Sequence, residues 1–206
     1  MCFSATASFV AGGVLSATGV VTLAKAKTKK EIPFAAIPLL FGVQQTIEGA
    51  IWISFGSQFW NVAMTYGYAI FSHVLWPILI PCAVLLIEPD QARSRILRGF
   101  IAVGLLIGLY LLYSIIIDPV TSRIVNHSIV YDSPYLYPTV SLILYLFAVC
   151  GSCFMSSHVM VRMFGALIFL AFLVSDWFYT TSFFSVWCFF AAILSVLVYG
   201  YFRKTT

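Results

Sequence analysis

Charge is scarce in this chain: Asp, Glu, Lys and Arg make up 9% of its 206 residues, against about 25% in an ordinary soluble domain. Eleven basic and seven acidic side chains cannot cover the surface of a water-soluble fold of this size. That excludes a cytosolic globular enzyme, a disordered tail and a disulfide-rich secreted module. Several motifs are missing too. No lysine falls in 183–202, so a retinal Schiff base has no anchor in the last helix. There is no G-x-x-x-x-G-K-[ST] loop, no nucleotide-binding glycine run and no H-E-x-x-H or H-x-x-x-H pair. In the place of charge stand 62% hydrophobic and 17% aromatic residues, with a mean hydropathy of +1.01. The chain is one integral membrane domain over 1–206.

Lipid offers the backbone no hydrogen-bond partners, so only helices and closed barrels span it. A barrel would show short segments of alternating polarity. Here the apolar runs are long instead: Gly99 to Ile117 carries no charge, and Met163 to Phe202 carries only Asp176. A span takes about 20 residues, which predicts seven helices, at 5–24, 32–55, 62–87, 97–117, 135–156, 160–178 and 183–202. The fold class is therefore all-α, a bundle of seven transmembrane helices. The first helix lacks a basic segment before it and a clean cleavage site after it, and is expected to be retained.

Basic residues set the orientation. Lys25, Lys27, Lys29, Lys30, Arg93, Arg95, Arg98, Arg162, Arg203 and Lys204 fall on one side of this arrangement, and Arg123 alone on the other. The N-terminus is expected outside and the C-terminus in the cytoplasm of a cell whose plasma (inner) membrane the chain crosses several times. The net charge of +4 comes from these loops, which meet anionic headgroups. It implies membrane lipids as partners and no nucleic acid.

Ionisable residues within a span are costly, and each is a functional candidate. Glu48, His73 and Asp176 qualify. At 1.5 Å rise per residue, Glu48 and Asp176 lie about 24 Å from the inner edge of the hydrocarbon core, and His73 about 16 Å from the outer edge. Gln44, Gln45, Glu48 and Trp52 share one helix face. Ser175, Asp176, Tyr179 and Thr180 form a similar group, as do Tyr66 and His73 with Ser72 beside them. Pro77 and Pro81 are expected to kink the third span and free backbone carbonyls. The candidate pocket has Glu48, His73 and Asp176 at its centre, Gln44, Gln45 and Ser72 as a hydrogen-bonding shell, and Trp52, Tyr66 and Tyr179 as walls. Glu48, His73 and Asp176 also offer oxygen and imidazole ligands to a divalent metal. His127 falls on the same side, His158 on the opposite one. Cys150 and Cys153 have C-x-x-C spacing, but an apolar helix contact through small residues explains them more simply. If Met1 is removed, Cys2 becomes an N-terminal thiol, a potential nucleophile.

Two reactions of different class fit such a pocket. The first is binding or translocation of a small solute or amphiphile, coupled to protonation of Glu48. The alternative is hydrolysis of a lipid or amphiphile by metal-bound water or Cys2, with Glu48 or Asp176 as base.

Spans 1–3 and 5–7 would share orientation in a parallel 3+1+3 repeat, with Glu48 and Trp60 echoed by Asp176 and Trp187. Seven spans, an outside N-terminus and the run Ile51-Trp52-Ile53-Ser54-Phe55-Gly56 resemble SWEET and PQ-loop sugar transporters, though the proline–glutamine dipeptide is absent. Membrane-embedded acid, serine and histidine resemble the ceramidase-like seven-span zinc hydrolases, without their paired histidines in the last span. Met1-Cys2-Phe3-Ser4-Ala5 together with Phe41-Gly42-Val43-Gln44-Gln45-Thr46-Ile47-Glu48-Gly49 resembles a bacterial multi-spanning membrane family of unknown function. That last resemblance covers most of the chain and singles out Cys2, Gln44, Gln45 and Glu48.

Overall fold

A computed structural model describes residues 4–125, 127–132, 138–179 and 182–205, the side chains of 204 and 205 excepted. The chain is built of helices, and six of them are long and apolar enough to cross a membrane: Ala5–Leu23, Ile32–Ser54, Gln58–Ile87, Gln91–Ile117, Val159–Phe178 and Phe183–Arg203. A shorter apolar helix, Pro138–Phe154, occupies the place of the fifth expected span.

Prolines and caps divide these helices. Helix α1 is Ala5–Leu23, begun by Ser4, whose hydroxyl accepts from Ala7 N–H at 3.2 Å. The second span is a short α2, Ile32–Ala35, and a long α3, Ile37–Ser54, each with a proline in its first turn where no amide donor is needed. The third is α4, Gln58–Ala69, a π-helical segment, Ile70–Leu75, and α5, Trp76–Ile87. Helix α6, Gln91–Ile117, begins well before its apolar run because Asp90 caps it, accepting from Ala92 N at 2.7 Å and Arg93 N at 3.0 Å. After α6 come α7 (Pro138–Leu146), a second π-helical segment (Phe147–Gly151), α8 (Ser152–Phe154), α9 (Val159–Phe178), α10 (Phe183–Leu194) and α11 (Val196–Thr205).

Helices α1 and α3 form the most extensive pair. Small residues permit it: a methyl group on Gly12 would lie 2.5 Å from Thr46 Oγ1, and one on Gly42 would lie 2.5 Å from Ser16 Oγ. Close backbone approach of this kind is what drives helix association in lipid. Gly165 likewise gives room to Cys153. Cys150 and Cys153 are free, buried thiols, and Cys153 lies against Gly165 of α9.

One element stands outside the helical pattern. An antiparallel hairpin, β1 (Thr121–Val125) and β2 (Ser128–Asp132), follows α6. Its turn includes His127 at φ 57°. Strand β2 is buried from Ser128 to Tyr131 and packs on α10, while β1 packs on α4. Ser122 Oγ lies 2.8 Å from Thr65 Oγ1 and donates to Asn61 Oδ1 at 3.2 Å. This hairpin end of the bundle also carries exposed aromatics, Phe59, Trp60, Trp177 and Phe178, of the kind that sits at headgroup level.

The opposite, basic end is tied together around Glu88. Its carboxylate accepts from Ser156 Oγ at 3.1 Å, Ser157 N at 2.8 Å and Asp90 N at 3.3 Å. Arg93 donates to the carbonyls of Met155 and Ser156. His158 lies here as well, bonded to the Ile87 carbonyl at 3.0 Å and edge-on to Tyr201. Burial alone would raise the Glu88 pKa, but the hydrogen bonds from Ser157, Asp90 and Ser156 outweigh it and hold the carboxyl below its ordinary value.

Candidate functional site

The prolines of the third span create the first part of the site. In the π-helical segment the amide of Trp76 donates to the carbonyl of Phe71, five residues back. Pro77 comes next in that register and has no N–H, so the carbonyl of Ser72 loses its helical donor. Tyr145 of α7 supplies one across the bundle, its hydroxyl donating to Ser72 O at 2.7 Å. Pro81 similarly withholds a donor from Pro77 O. That oxygen lies against Gly104 of α6, where an added methyl group would overlap it. The expected freed carbonyls are thus present, each met by a particular residue of another helix.

Loosening the helix here turns His73 inward. His73 is buried, its Nδ1 lies 2.6 Å from Ser72 Oγ, and its ring is tilted against Phe184 at 5.1 Å. It forms one wall of a cavity of about 230 Å³, closed by Leu111, Leu142, Tyr145, Phe183 and Phe184, with Ser141, Pro138 and Thr139 completing it. Pro138 and Thr139 are exposed, so the cavity reaches the surface at the start of α7, at the hairpin end.

Beside the cavity lies a buried polar cluster on α3. Gln44, Gln45 and Glu48 are fully buried. Glu48 Oε1 accepts from Ser185 Oγ at 2.5 Å and from the Tyr131 hydroxyl at 3.5 Å, and Oε2 accepts from Gln45 Nε2 at 3.3 Å. Gln44 Oε1 accepts from Trp76 Nε1 at 2.7 Å, and Trp76 stacks on Phe41. The Cys188 thiol lies next to Tyr68, Gln44 and Glu48. Tyr68 stacks flat on Tyr131 at 4.3 Å, so the hairpin is seated on the bundle by both a ring contact and the Glu48 carboxyl. Among the described residues, Gln45 Oε1 and Trp52 Nε1 are buried with no hydrogen-bond partner.

The expected residues therefore separate. His73 lines the cavity, with Ser72 directly behind it. Gln44, Gln45 and Glu48 cluster as the face of α3 requires, and half-buried Trp52 packs among Ile51, Tyr68, Ile129 and Tyr131. Tyr66 packs instead on Ala69, Ile115 and Val120. Asp176 is exposed at the last turn of α9, with Tyr179 half-buried just beyond it, and it is not among the residues that line the cavity beside His73. Among the described residues no three His, Cys, Asp or Glu side chains gather as metal ligands, so Glu48, His73 and Asp176 are not one metal set. His127 is exposed on the hairpin turn. Cys2, Thr180 and the start of the expected fifth span lie outside the described residues.

Sequence reasoning missed Ser185, Tyr131, Tyr68, Trp76 and Tyr145. A signal for Tyr131 existed: β-branched residues crowd both sides of Asn126-His127, a hairpin pattern. For Ser185, 137 positions from Glu48 in the chain, no local pattern points to the pairing.

No curated protein and no solved structure matches the chain, so neither the sugar-transporter nor the ceramidase-like resemblance gains a relative. The chain belongs to a family of unknown function, DUF6629, whose match runs over residues 1–206.

Proposed function

We propose that this protein is a multi-pass plasma-membrane protein that holds an amphiphile in the cavity beside His73, with Glu48 as the protonatable centre that controls the cavity wall. The cavity itself carries the reading. An engineered cavity of about 150 Å³ lined by apolar side chains binds benzene, and this one measures about 230 Å³. Its walls are Leu111, Leu142, Phe183 and Phe184, which favour an apolar body. His73, Ser141 and Thr139 offer hydrogen bonds to a polar end. A hydrophilic solute would have to leave its water for a wall of this kind, and the Coulomb and hydrogen-bonding compensation is small.

The link to Glu48 runs through neighbouring residues of α10: Ser185 binds the carboxyl, and Phe183 and Phe184 face the ligand. A hydrogen bond to an ionised carboxylate is about twice as strong as one between neutral groups. Protonating Glu48 therefore loosens the grip on Ser185 and on Tyr131 of the hairpin together. The basic residues about the Glu88 end favour a cytoplasmic position for it and an outward position for the cavity mouth.

Lipid extraction from purified protein tests the reading. The wild type is expected to yield about one amphiphile per chain above the level of bulk lipid, and Leu142→Trp, which fills the cavity, to lose it. Equal yields from the two proteins, with both folded by circular dichroism, would overturn it.

A further inference from the structure

Charge is missing from the walls of the cavity beside His73. No Asp, Glu, Lys or Arg stands among the residues that line it. None occurs in 133–137 or 180–181 either, the stretches of sequence that lead into α7 and α10. Glu48 does not line the cavity, and its carboxyl accepts from Ser185, Gln45 and Tyr131. At the hairpin end, Arg123 is held by Asp132 through two bonds, Nε to Oδ2 at 2.6 Å and Nη2 to Oδ1 at 3.2 Å. The imidazole of His73 is bonded at Nδ1 to the neutral hydroxyl of Ser72 and faces the ring of Phe184, so no acid or base accompanies it.

A full charge carried into such a space leaves its water and gains no counter-ion, which costs far more than the contacts return. Cation–π contact with Phe183 or Phe184 would offset only part of that cost. A polar group nevertheless has a place inside. Ser141 is 6% exposed and lines the cavity; among the described residues its hydroxyl has no hydrogen-bond partner. Ser141 stands one turn before Tyr145 on the face that α7 turns to the cavity. An alkyl chain alone would cover this hydroxyl and leave it unpaired, which buried polar groups seldom are. We infer that the ligand is an uncharged amphiphile whose polar end is a hydroxyl or carbonyl, seated inside the cavity at Ser141. Its apolar body lies against Leu111, Leu142, Phe183 and Phe184. Carboxylate, phosphate and ammonium heads are rejected. The inference rests on the amphiphile reading above and adds the chemical class of the polar end.

Photolabelling with diazirine derivatives of octan-1-ol, octanoate and octylammonium, compared at neutral pH in detergent micelles, tests it. Labelling of Phe183 and Phe184 is divided by that of Leu106, which is 64% exposed on α6, so that unequal partition into the micelle cancels. The alcohol is expected to exceed both charged probes roughly tenfold or more in this ratio. Ser141→Ala should lower the ratio for the alcohol roughly fivefold, as loss of one hydrogen bond does, and Leu142→Trp should abolish it. If a charged probe labels the cavity as well as the alcohol does, and Leu142→Trp abolishes that labelling too, the uncharged class is refuted and the amphiphile site stands. An unchanged ratio in Ser141→Ala refutes the seat at Ser141. If no probe gives cavity labelling that Leu142→Trp abolishes, the amphiphile site falls and this inference with it.

Discussion

Tyr145→Phe removes one hydroxyl and leaves the Ser72 carbonyl without its donor. Ser72 is 2% exposed and Tyr145 7%, so water does not replace the lost partner. An unsatisfied buried polar group costs about 1–3 kcal/mol in proteins generally. Hydrogen bonds between membrane helices average about 0.6 kcal/mol with a maximum near 1.7. A loss of about 1 kcal/mol is expected, roughly fivefold in the folding equilibrium. The cause can be isolated, because the carbonyl is orphaned by Pro77. Pro77→Ala restores an N–H in the register that Trp76 already uses toward Phe71, and that amide can serve Ser72. Tyr145→Phe should then cost less than half as much in the Pro77→Ala background. Reversible unfolding in mixed micelles, measured for the four proteins of the cycle, gives the coupling. An equal loss in both backgrounds, or none in the wild type, would refute the proline–tyrosine exchange.

Other perturbations follow from the same geometry. Gly104→Ala places a methyl group on the Pro77 carbonyl, and overpacking of about 1–3 kcal/mol should appear in the same unfolding assay. Gly13→Ala, where nothing lies within 4 Å, should be neutral or slightly stabilising. Glu48→Gln keeps hydrogen-bonding capacity and removes the titration. The change in amphiphile binding with pH that follows from protonation of Glu48, measured by photolabelling, should be absent in this variant. At the basic end, Glu88 has its folded pKa below the ordinary value of 4.5. Its contribution to stability is therefore complete above that value and is lost as the pH falls through the lower folded pKa. Glu88→Gln should show less acid destabilisation below pH 4.5 than the wild type, as followed by thermal unfolding.

Six of the expected helices were legible because a crossing needs about 20 apolar residues and their runs meet that length, while the described part of the fifth, Pro138–Phe154, is shorter. Helix breaks were legible wherever proline removes a donor, as at Pro77. The α3 cluster followed from periodicity, since Gln44, Gln45 and Glu48 must share a face of any helix. What periodicity cannot give is the partner across the bundle. Ser185 meets Glu48, and Tyr145 meets Ser72, through packing between segments far apart in the chain. Depth counting alone does not show which way a side chain points: Asp176, two positions from the end of α9, is exposed and is not among the residues that line the cavity. The hairpin lies between the fourth and fifth expected spans, where a count of span lengths gives no guide. Yet Ile129, Val130 and Tyr131 bury themselves in the bundle and bring a hydroxyl to Glu48.

Occupancy of the cavity is the centre of the account, and intact mass spectrometry of the protein released gently from micelles measures it most directly. The wild type should carry one bound amphiphile of discrete mass, and Leu142→Trp none at matched detergent and activation energy. A wild-type spectrum showing only bare chain, or an adduct pattern identical in the two proteins, would contradict it.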